Sequence, residues 1–309
     1  MNATMRAAAI DAFGPPERLQ VRELPRPVMA DDDVLVRVRA AGVQLTDAAV
    51  RAGWTPPGAV IRLPQILGNE FSGTVEEVGE GVTRFRPGDE VLGFRLLGCY
   101  AEYVAVPESQ VVMKPRTVGW HAAGALSASG QTAHTAFEDL AVERGDVVLV
   151  HGAAGGVGTV FTQLAVQAGA TVVGTASQEN HDYLRSLGAI PVAYGPGQRD
   201  RIRSHLPRAD AAFDAAGHQN LRDAVHFVAD RQRIATIVDM PLAQELGCRI
   251  VRSRRSARRL ADLVDRLDRG VLRIHVRRRY PLDAVADAHR DVESGHGRGK
   301  VLLDISEEA

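Results

Sequence analysis

A glycine-rich segment between residues 145 and 170 is the clearest chemical signal in this sequence. It reads GDVVLVHGAAGGVGTVFTQLAVQAGA: strand-forming residues lead into a turn of small residues, and an amphipathic helix leaves it. Such a turn presents backbone N–H groups at a helix N-terminus, and its glycines let the pyrophosphate of a dinucleotide approach the backbone. The residues predicted to form this phosphate site are Ala154, Gly155, Gly156, Val157 and Gly158.

The spacing of the glycines departs from the strict dinucleotide fingerprint. Gly155 and Gly158 stand three residues apart, like the last two glycines of G-x-G-x-x-G, but Ala153 occupies the position of the first. The alternative interpretation is a tight turn of small residues without a ligand. The strand before the turn and the helix after it favour nucleotide binding.

Two kinds of sequence surround this turn. The first third of the chain has short strand-like runs separated by glycine and proline, at residues 18–23, 33–39, 73–78, 90–93 and 101–106. Five short strands at this spacing predict a partly open β-barrel. After Pro115 comes a helical pattern over residues 121–140, interrupted at 130–132, and then strands alternate with helices. This alternation predicts an α/β fold with a doubly wound parallel sheet.

The composition excludes several classes of protein. The 309 residues are 45% hydrophobic and 24% charged, with a net charge of −1, which argues against a dedicated nucleic-acid binder. The arginines between residues 252 and 259 continue into a helix with Arg/Asp pairs four apart, typical of a solvated face. No run of about 18 apolar residues predicts a membrane span. Cys99 and Cys248 indicate free thiols in a reducing cytoplasm, with a single disulfide as the alternative.

Five motifs carry a family resemblance: AAGVQLTDAAVRAG from residue 40, ILGNEFSGTVEEVGEGVTRFRPGDEV from 66, GCYAEYVAVP from 98, HGAAGGVG from 151 and ESGHGRGKVLLDI from 293. Together they resemble the medium-chain dehydrogenase/reductase superfamily, in its zinc-free quinone oxidoreductase, or zeta-crystallin-like, branch. The resemblance implies a GroES-like catalytic domain in two pieces, residues 1–118 and 272–309, around a Rossmann cofactor domain at 119–271. It also implies a homodimer, whose edge strand would lie at residues 248–252.

The resemblance bears on metal binding. Where zinc-dependent alcohol dehydrogenases of the superfamily have two of their zinc ligands, this sequence has Gln44 and Asn69, and neutral amides are poor zinc ligands. Glu70 is retained, but one carboxylate does not make a site, so a hydrogen-bonding structural role is the preferred interpretation. The four-cysteine structural lobe of those enzymes is missing. We therefore expect no metal.

Without zinc, the reaction implied is hydride transfer from a nicotinamide cofactor to a quinone or to an alkene conjugated to a carbonyl. Hydrogen-bond donors must then face the oxygen that gains charge. Gln44 stands where related reductases usually have asparagine and is the first candidate donor, with a surface amide as the alternative. Thr55 stands where related enzymes often have tyrosine, a candidate proton donor. Because threonine replaces it here, the proton is expected to come from water. His121, His134 and His151 have no predicted partner and are interpreted as structural.

The end of the second strand of the nucleotide domain indicates the cofactor. NAD-dependent enzymes usually carry Asp or Glu there to bind the ribose 2′-hydroxyl, whereas this strand runs into Ala176, Ser177 and Gln178. Because a carboxylate would repel a 2′-phosphate, its absence favours NADP(H) over NAD(H). Ser177 and Tyr194 match family positions beside the adenosine phosphate. Glu179 opposes this preference unless it points away as a helix N-terminal residue.

The remaining cofactor positions rest on local matches to the family. They are Thr132, Gly217, His218, Ile237, Val238 and Lys300. Lys300 has a second interpretation, as a charge that protects a strand edge. Asp239 is unusual beside a phosphate and is expected to face substrate or solvent.

Three hypotheses for the function remain open. The leading hypothesis is an NADPH-dependent reductase of quinones or conjugated carbonyl compounds. The second is an enoyl-thioester reductase, because reductase domains of polyketide synthases have similar HxAAGGVG runs. The third is a non-catalytic NADPH-binding sensor or structural protein.

Overall fold

The computed structural model describes residues 3–217, 219–295 and 297–306. Up to residue 140 its regular elements are β1 (Thr4–Ile10), β2 (Leu19–Pro25), β3 (Asp33–Val43), α1 (Leu45–Arg51), β4 (Gln65–Ile66), β5 (Glu70–Val78), β6 (Glu90–Phe94), β7 (Tyr103–Pro107), β8 (Val111–Met113), α2 (Trp120–Gly124) and α3 (Ser127–Asp139). From residue 147 they are β9 (Val147–His151), α4 (Gly156–Ala168), β10 (Thr171–Ala176), α5 (His181–Ser186), β11 (Ile190–Ala193), α6 (Gln198–His205), β12 (Ala211–Asp214), α7 (Asn220–Phe227), β13 (Ile234–Thr236), α8 (Met240–Leu246), β14 (Arg249–Ile250), α9 (Ala257–Asp268), β15 (Val276–Pro281), α10 (Val285–Glu293) and β16 (Lys300–Asp304). Among these helices, none is both long and apolar enough to cross a bilayer.

The chain divides into two compact units. The first comprises Met1–Ala128, Ser256–His296 and Lys300–Ala309, and the second comprises Ser129–Arg255 and Gly297–Gly299. Residues 119–128 and 256–271, expected in the nucleotide domain, are thus grouped with the first unit. For α2 the reason is a direct contact with the barrel, because Ser72 in β5 donates a hydrogen bond to the Trp120 carbonyl at 2.8 Å.

The first unit is built on a mostly antiparallel sheet. Its strands follow the order β15-β16-β3-β5-β6-β8, with β7 paired to β3, and a second sheet has the order β2-β1-β4. β16 pairs antiparallel with the second half of β3, so the tail of the chain completes the sheet formed by the first third. Apolar residues of both parts share one core, which includes Val34, Val36, Phe71, Val91, Leu282, Val285, Val301 and Leu303.

The second unit contains a six-stranded parallel sheet with the order β11-β10-β9-β12-β13-β14. Numbered from β9, this order is 3-2-1-4-5-6, that of dinucleotide-binding domains. In a parallel sheet with this strand order, right-handed crossovers put helices on both faces of the sheet. The doubly wound α/β fold predicted from the sequence is confirmed.

One predicted element differs from the structure. The helical segment expected over residues 121–140 is two helices, α2 and α3, and the break lies at Ala125 and Leu126 instead of at residues 130–132. A glycine inside a helix costs only about 1 kcal/mol, so Gly130 is tolerated within α3. α3 begins where the Glu70 carboxylate accepts a hydrogen bond from the Ala128 N–H at 2.6 Å, which stabilises its N-terminus.

Candidate cofactor and catalytic sites

The glycine-rich segment forms the predicted strand, turn and helix in the second unit. β9 ends at His151, Gly152 has a left-handed φ of 71°, and Gly155 caps the N-terminus of α4. A Cβ on Gly158 would overlap the Gly152 carbonyl oxygen, so a side chain is sterically excluded there. Because the first N–H groups of a helix have no intrahelical partner, this turn fits the pyrophosphate of a dinucleotide.

The structure explains why Ala153 stands where the strict fingerprint has glycine. Gly152, one residue earlier, supplies the left-handed conformation that the tight turn needs. Ala153 is fully buried, and its N–H donates a hydrogen bond to the Thr175 carbonyl at 3.1 Å. Its methyl group faces Gly174, where an added Cβ would approach it to 2.8 Å. The glycine in β10 therefore makes room for the alanine in the turn.

The loop after β10 holds the residues expected to select the cofactor. Ser177 accepts a hydrogen bond from the Asn180 side-chain amide at 2.8 Å and donates one to the Glu179 carboxylate at 3.2 Å. Glu179 thus binds Ser177 and does not point away from it. Since this carboxylate would repel a 2′-phosphate, a preference for NADP(H) requires a positive charge elsewhere in the same unit.

Loops at the carboxyl ends of the neighbouring strands hold most of the other predicted cofactor residues. Gly217, with a φ of 76°, donates its N–H to the Asp214 carboxylate at 2.9 Å, and a Cβ on it would meet Val238 at 2.8 Å. Val238 and Tyr194 are about half exposed, and Ile237 follows β13 directly. These residues therefore form a surface at the edge of the sheet where nucleotides bind in doubly wound folds.

Three further predictions have different outcomes in the structure. Thr132 lies within α3, and His218 falls outside the described residues. Asp239, expected to face substrate or solvent, caps α8, because its side chain accepts a hydrogen bond from the Leu242 N–H at 3.1 Å. A helix cap accounts for an acidic residue at this position.

The three histidines have partners that suit structural roles. His151 is fully buried with Nδ1 3.2 Å from the Thr175 hydroxyl, and burial lowers its pKa to about 4, so the ring is neutral near pH 7. His121 Nε2 lies 2.9 Å from an Asp304 carboxylate oxygen, and His134 lies one helical turn from Glu138.

A buried polar network in the first unit centres on Glu70, whose side chain is fully buried. It accepts hydrogen bonds from the Gln44 side-chain amide, from the Lys300 ammonium at 2.8 Å and from the Ala128 N–H at 2.6 Å. The Lys300 side chain is 4% exposed. A buried ion pair is stable only when its remaining hydrogen-bonding capacity is used, as it is for Glu70. These contacts fit the hydrogen-bonding structural role predicted for Glu70, and they give Lys300 a partner that the sequence did not indicate.

A second carboxylate, Asp47, is buried beside this network. It accepts hydrogen bonds from the Tyr100 hydroxyl at 2.8 Å, the Asn69 amide at 2.8 Å and the Gln44 backbone N–H at 2.9 Å. Burial raises the pKa of Asp47 to about 6 despite these bonds, and burial beside Asp47 raises the pKa of Tyr100 well above its usual value. Sequence reasoning missed both residues, although Gln44 and Asp47 have the spacing of a helix N-cap and its N3 partner.

The donor set in this region does not suit zinc. The side-chain amide nitrogens of Gln44 and Asn69 both act as donors, to Glu70 and Asp47 respectively, and the Lys300 ammonium contacts Glu70. Zinc needs thiolate, imidazole or carboxylate ligands, and a cation next to an ammonium group is disfavoured. In the part of the chain that the structure describes, no three His, Cys, Asp or Glu side chains come together as metal ligands.

The surface near the two ends of α1 is partly apolar. Gln44 is half-buried at the N-terminus of α1, and the next residue, Leu45, is 62% exposed. Thr55 is exposed in the loop after α1, next to Trp54, which is 46% exposed. The two predicted substrate-facing residues, Gln44 and Thr55, thus lie at either end of α1.

Comparison with known proteins identifies the family. Residues 30–116 match the alcohol dehydrogenase GroES-like domain, and residues 187–303 match the zinc-binding dehydrogenase family. The structure of the quinone oxidoreductase from Coxiella burnetii is similar, with a TM-score of 0.89 and 30% sequence identity, over 98% of this chain and 100% of that one. The chain belongs to the medium-chain dehydrogenase/reductase superfamily, in its quinone oxidoreductase-like branch. The predicted GroES-like and Rossmann folds are thereby confirmed.

Two relatives extend this result. Quinone oxidoreductase from Homo sapiens is 29% identical over an alignment of 322 positions, which covers 97% of this chain and 97% of that one. The pikromycin polyketide synthase component PikAII from Streptomyces venezuelae is 32% identical over an alignment of 311 positions, which covers 91% of this chain and 8% of that protein. The protein is a nicotinamide-dependent oxidoreductase, as the sequence predicted, so the hypothesis of a binding protein without turnover is set aside.

Proposed function

We propose that the protein is an NADPH-dependent, zinc-independent reductase that transfers a hydride to quinones or α,β-unsaturated carbonyl compounds. The observation that carries this proposal is the Gln44–Glu70–Lys300 network, which holds an amide donor where zinc-dependent relatives have a metal ligand. The names of the human and Coxiella burnetii relatives support the substrate class.

The chain's own residues supply a fixed hydrogen-bond donor. Gln44 Nε2 carries two N–H groups, and one of them donates a hydrogen bond to Glu70. Lys300 holds Glu70 in place through a second hydrogen bond. The second N–H group then has a set direction and donates to the substrate oxygen that gains negative charge. NADPH, when bound at the glycine turn, supplies the hydride. The proton that completes the reduction comes from water.

The exposed apolar residues near the two ends of α1 suit a flat acceptor. Leu45 and Trp54 are both about half exposed or more, and an aromatic or conjugated ring gains free energy when such surface is covered. A charged or strongly hydrated acceptor would gain nothing from them.

A substrate panel tests the proposal. Oxidation of NADPH and of NADH is measured against quinones, conjugated enones and enoyl thioesters, with and without a metal chelator. We expect turnover of quinones or enones, faster with NADPH and unaffected by the chelator. No turnover of either acceptor class, a preference for NADH, or loss of activity with the chelator would each contradict the corresponding part of the proposal.

A variant of Gln44 tests the donor itself. Gln44→Met keeps the length of the side chain and removes the amide, and loss of an oxyanion donor typically lowers kcat about 10²- to 10³-fold. The dissociation constant of NADPH should change little. An unchanged kcat would remove Gln44 from the reaction.

Reduction of enoyl thioesters is the second candidate, and the 32% identity with the polyketide synthase component favours it. Crotonyl-type thioesters separate the two candidates. Turnover of these thioesters with little activity on quinones and simple enones would replace the first candidate with the second.

We also propose that the protein is a homodimer that pairs through the edge strand of its parallel sheet. β14 (Arg249–Ile250) stands last in the strand order, and an unpaired strand edge favours association with a second copy. Light scattering coupled to size-exclusion chromatography should give twice the chain mass. The mass of a single chain would refute the dimer.

A further inference from the structure

A chain of hydrogen bonds runs from the loop after β10 to an arginine far along the sequence. Asn180, which is buried, donates from its side-chain nitrogen to the Ser177 hydroxyl at 2.8 Å. The Asn180 side-chain oxygen Oδ1 accepts a hydrogen bond from Nε of Arg298 at 2.9 Å. The guanidinium group is therefore tied, through one intervening side chain, to the residue at the end of the second strand of the parallel sheet.

The backbone beside Arg298 is fixed against the glycine turn. The next residue, Gly299, donates its N–H to the Ala154 carbonyl at 2.8 Å and forms a β-bridge with Gly155. The segment from Gly297 to Gly299 belongs to the same compact unit as the turn. Arg298 is thus held next to the predicted pyrophosphate site by backbone contacts that do not depend on its own side chain.

The guanidinium group also stacks on an aromatic ring. Its central carbon lies 4.6 Å from the centroid of the Tyr183 ring, and the Tyr183 hydroxyl donates to the Thr159 hydroxyl in α4 at 3.2 Å. Asn180 and Tyr183 are both uncharged, so these contacts orient the positive charge without neutralising it. A guanidinium held in this way is suited to a phosphate group, which it can bind with two parallel hydrogen bonds.

We infer that Arg298 binds the 2′-phosphate of NADP(H) and so sets the preference for this cofactor over NAD(H). The inference rests on the proposed function, since it requires the cofactor to bind at the glycine turn. Arg298 supplies the positive charge that the loop after β10 lacks. This charge offsets the repulsion between a 2′-phosphate and the Glu179 carboxylate, which accepts a hydrogen bond from Ser177. The 2′-phosphate is favoured over the pyrophosphate as its ligand, because Asn180 ties Arg298 to Ser177, where the ribose 2′-substituent lies in such folds.

Equilibrium binding tests the assignment without turnover. Isothermal titration calorimetry with NADPH, NADH, adenosine 2′,5′-bisphosphate and ADP is carried out on the wild type and on Arg298→Gln. Loss of a charge-assisted contact should weaken binding of NADPH and of the 2′,5′-bisphosphate roughly 10- to 100-fold. Binding of NADH and of ADP, which lack the 2′-phosphate, should change less than about threefold, which corresponds to about 0.65 kcal/mol.

Three further variants sharpen the result. Arg298→Lys keeps the charge but loses the planar contact with Tyr183, so its affinity for NADPH should fall between those of the wild type and Arg298→Gln. Glu179→Gln should tighten NADPH binding, because it removes the opposing charge. Arg203→Gln is the control for net charge, since Arg203 is an exposed residue of α6 paired with Asp200. It should leave all four affinities unchanged.

The outcomes separate this inference from the proposed function. If the wild type binds NADH more tightly than NADPH, the NADP(H) part of the proposed function fails. If the wild type prefers NADPH but Arg298→Gln binds it normally, only the role of Arg298 is refuted. A loss of affinity of the same size for NADPH, NADH and ADP would assign Arg298 to the pyrophosphate, which these three ligands share, and would also refute the inference. Unchanged thermal unfolding of Arg298→Gln would show that a loss of affinity is not a loss of fold.

Discussion

The two units build their sites from opposite materials. In the first unit the site consists of buried charged and polar side chains, with Glu70 bound to Lys300 and Gln44 and with Asp47 bound to Tyr100. In the second unit the predicted phosphate site consists of backbone, and at Gly158 a side chain would collide with the Gly152 carbonyl oxygen. Substitutions should therefore act mainly through electrostatics in the first unit and through steric exclusion in the second.

The largest effect is expected at Lys300. Lys300→Met keeps the volume of the side chain and leaves Glu70 buried without its counter-charge, and breaking a buried ion pair in this way costs about 3–5 kcal/mol. Urea denaturation at pH 7 measures the loss. If stability is unchanged and NADPH affinity falls instead, Lys300 acts on the cofactor, as the family resemblance implied.

A double variant serves as the control for Lys300. Glu70→Gln with Lys300→Met removes both charges and keeps an amide in place of the carboxylate. It should recover more than half of the stability lost in Lys300→Met, because no uncompensated buried charge remains. A double variant as unstable as the single one would show that packing, and not charge, explains the loss.

The next effect depends on pH and concerns Asp47. Its pKa rises from 3.8 to about 6 on folding, so between these values the folded protein holds a proton that the unfolded chain has released. The contribution of Asp47 to the free energy of unfolding therefore falls as pH rises through this window, by about 3 kcal/mol in total. Asp47→Asn lacks this titration.

The measurement is the difference in unfolding free energy between Asp47→Asn and the wild type at pH 4 and at pH 7. Other titrating groups largely cancel in this difference. It should move in favour of the variant by about 2 kcal/mol between the two pH values, because the unfolded chain is already partly protonated at pH 4. Parallel stability curves for the two proteins would mean that the pKa of Asp47 is not raised.

A smaller loss of stability is expected in the glycine turn, where the same substitution can be compared at two glycines. Gly158→Ala puts a methyl group against the Gly152 carbonyl and should cost about 1–3 kcal/mol of stability, as overpacking does. At Gly155, whose φ of −70° suits alanine, the added Cβ would lie 3.3 Å from that oxygen, and stability should change by less than about 1 kcal/mol.

Thermal unfolding and NADPH binding are measured for both variants, Gly158→Ala and Gly155→Ala. Gly155→Ala should bind NADPH more weakly at near-normal stability, since its methyl group obstructs the pyrophosphate. If both variants lost stability equally and Gly155→Ala bound NADPH normally, steric exclusion by the turn would not explain its glycines.

The smallest effect is expected at Asp239. Removal of this helix cap in Asp239→Ala should lower stability by about 1 kcal/mol, and the affinities for NADPH and NADH should not change. Thermal unfolding and the binding titrations described above give both quantities. A changed ratio of the two affinities would instead place Asp239 at the cofactor.

Local signals in the sequence were enough for much of the fold. The alternation of strands and helices predicted the parallel sheet, and the run from Val147 to Gly158 predicted a strand, a turn and a helix that the structure contains. The helical segment after residue 120 was less well predicted. Its break depends on Glu70, a residue 58 positions away from Ala128, whose carboxylate sets the start of α3.

The side-chain networks could not be predicted, because their members are distant in sequence. Glu70 and Lys300 are 230 positions apart, and they meet only because β16 pairs with β3 in the same sheet as β5. Asn180 and Arg298 are 118 positions apart. Nothing in the spacing of such residues indicates a partner, since neither helix nor strand periodicity relates them.

By itself the sequence determined the class of the protein, an oxidoreductase of this family that uses a nicotinamide cofactor. The indications were a glycine turn after a strand, a strand end without an acidic residue, and amides in place of zinc ligands. These properties are local, because backbone conformation and ligand chemistry depend on adjacent residues. Tertiary structure alone decided which charged and polar side chains contact one another. Lys300 became the partner of Glu70, Glu179 turned toward Ser177, and Arg298 reached the same loop, because burial and sheet pairing bring together groups that the chain keeps apart.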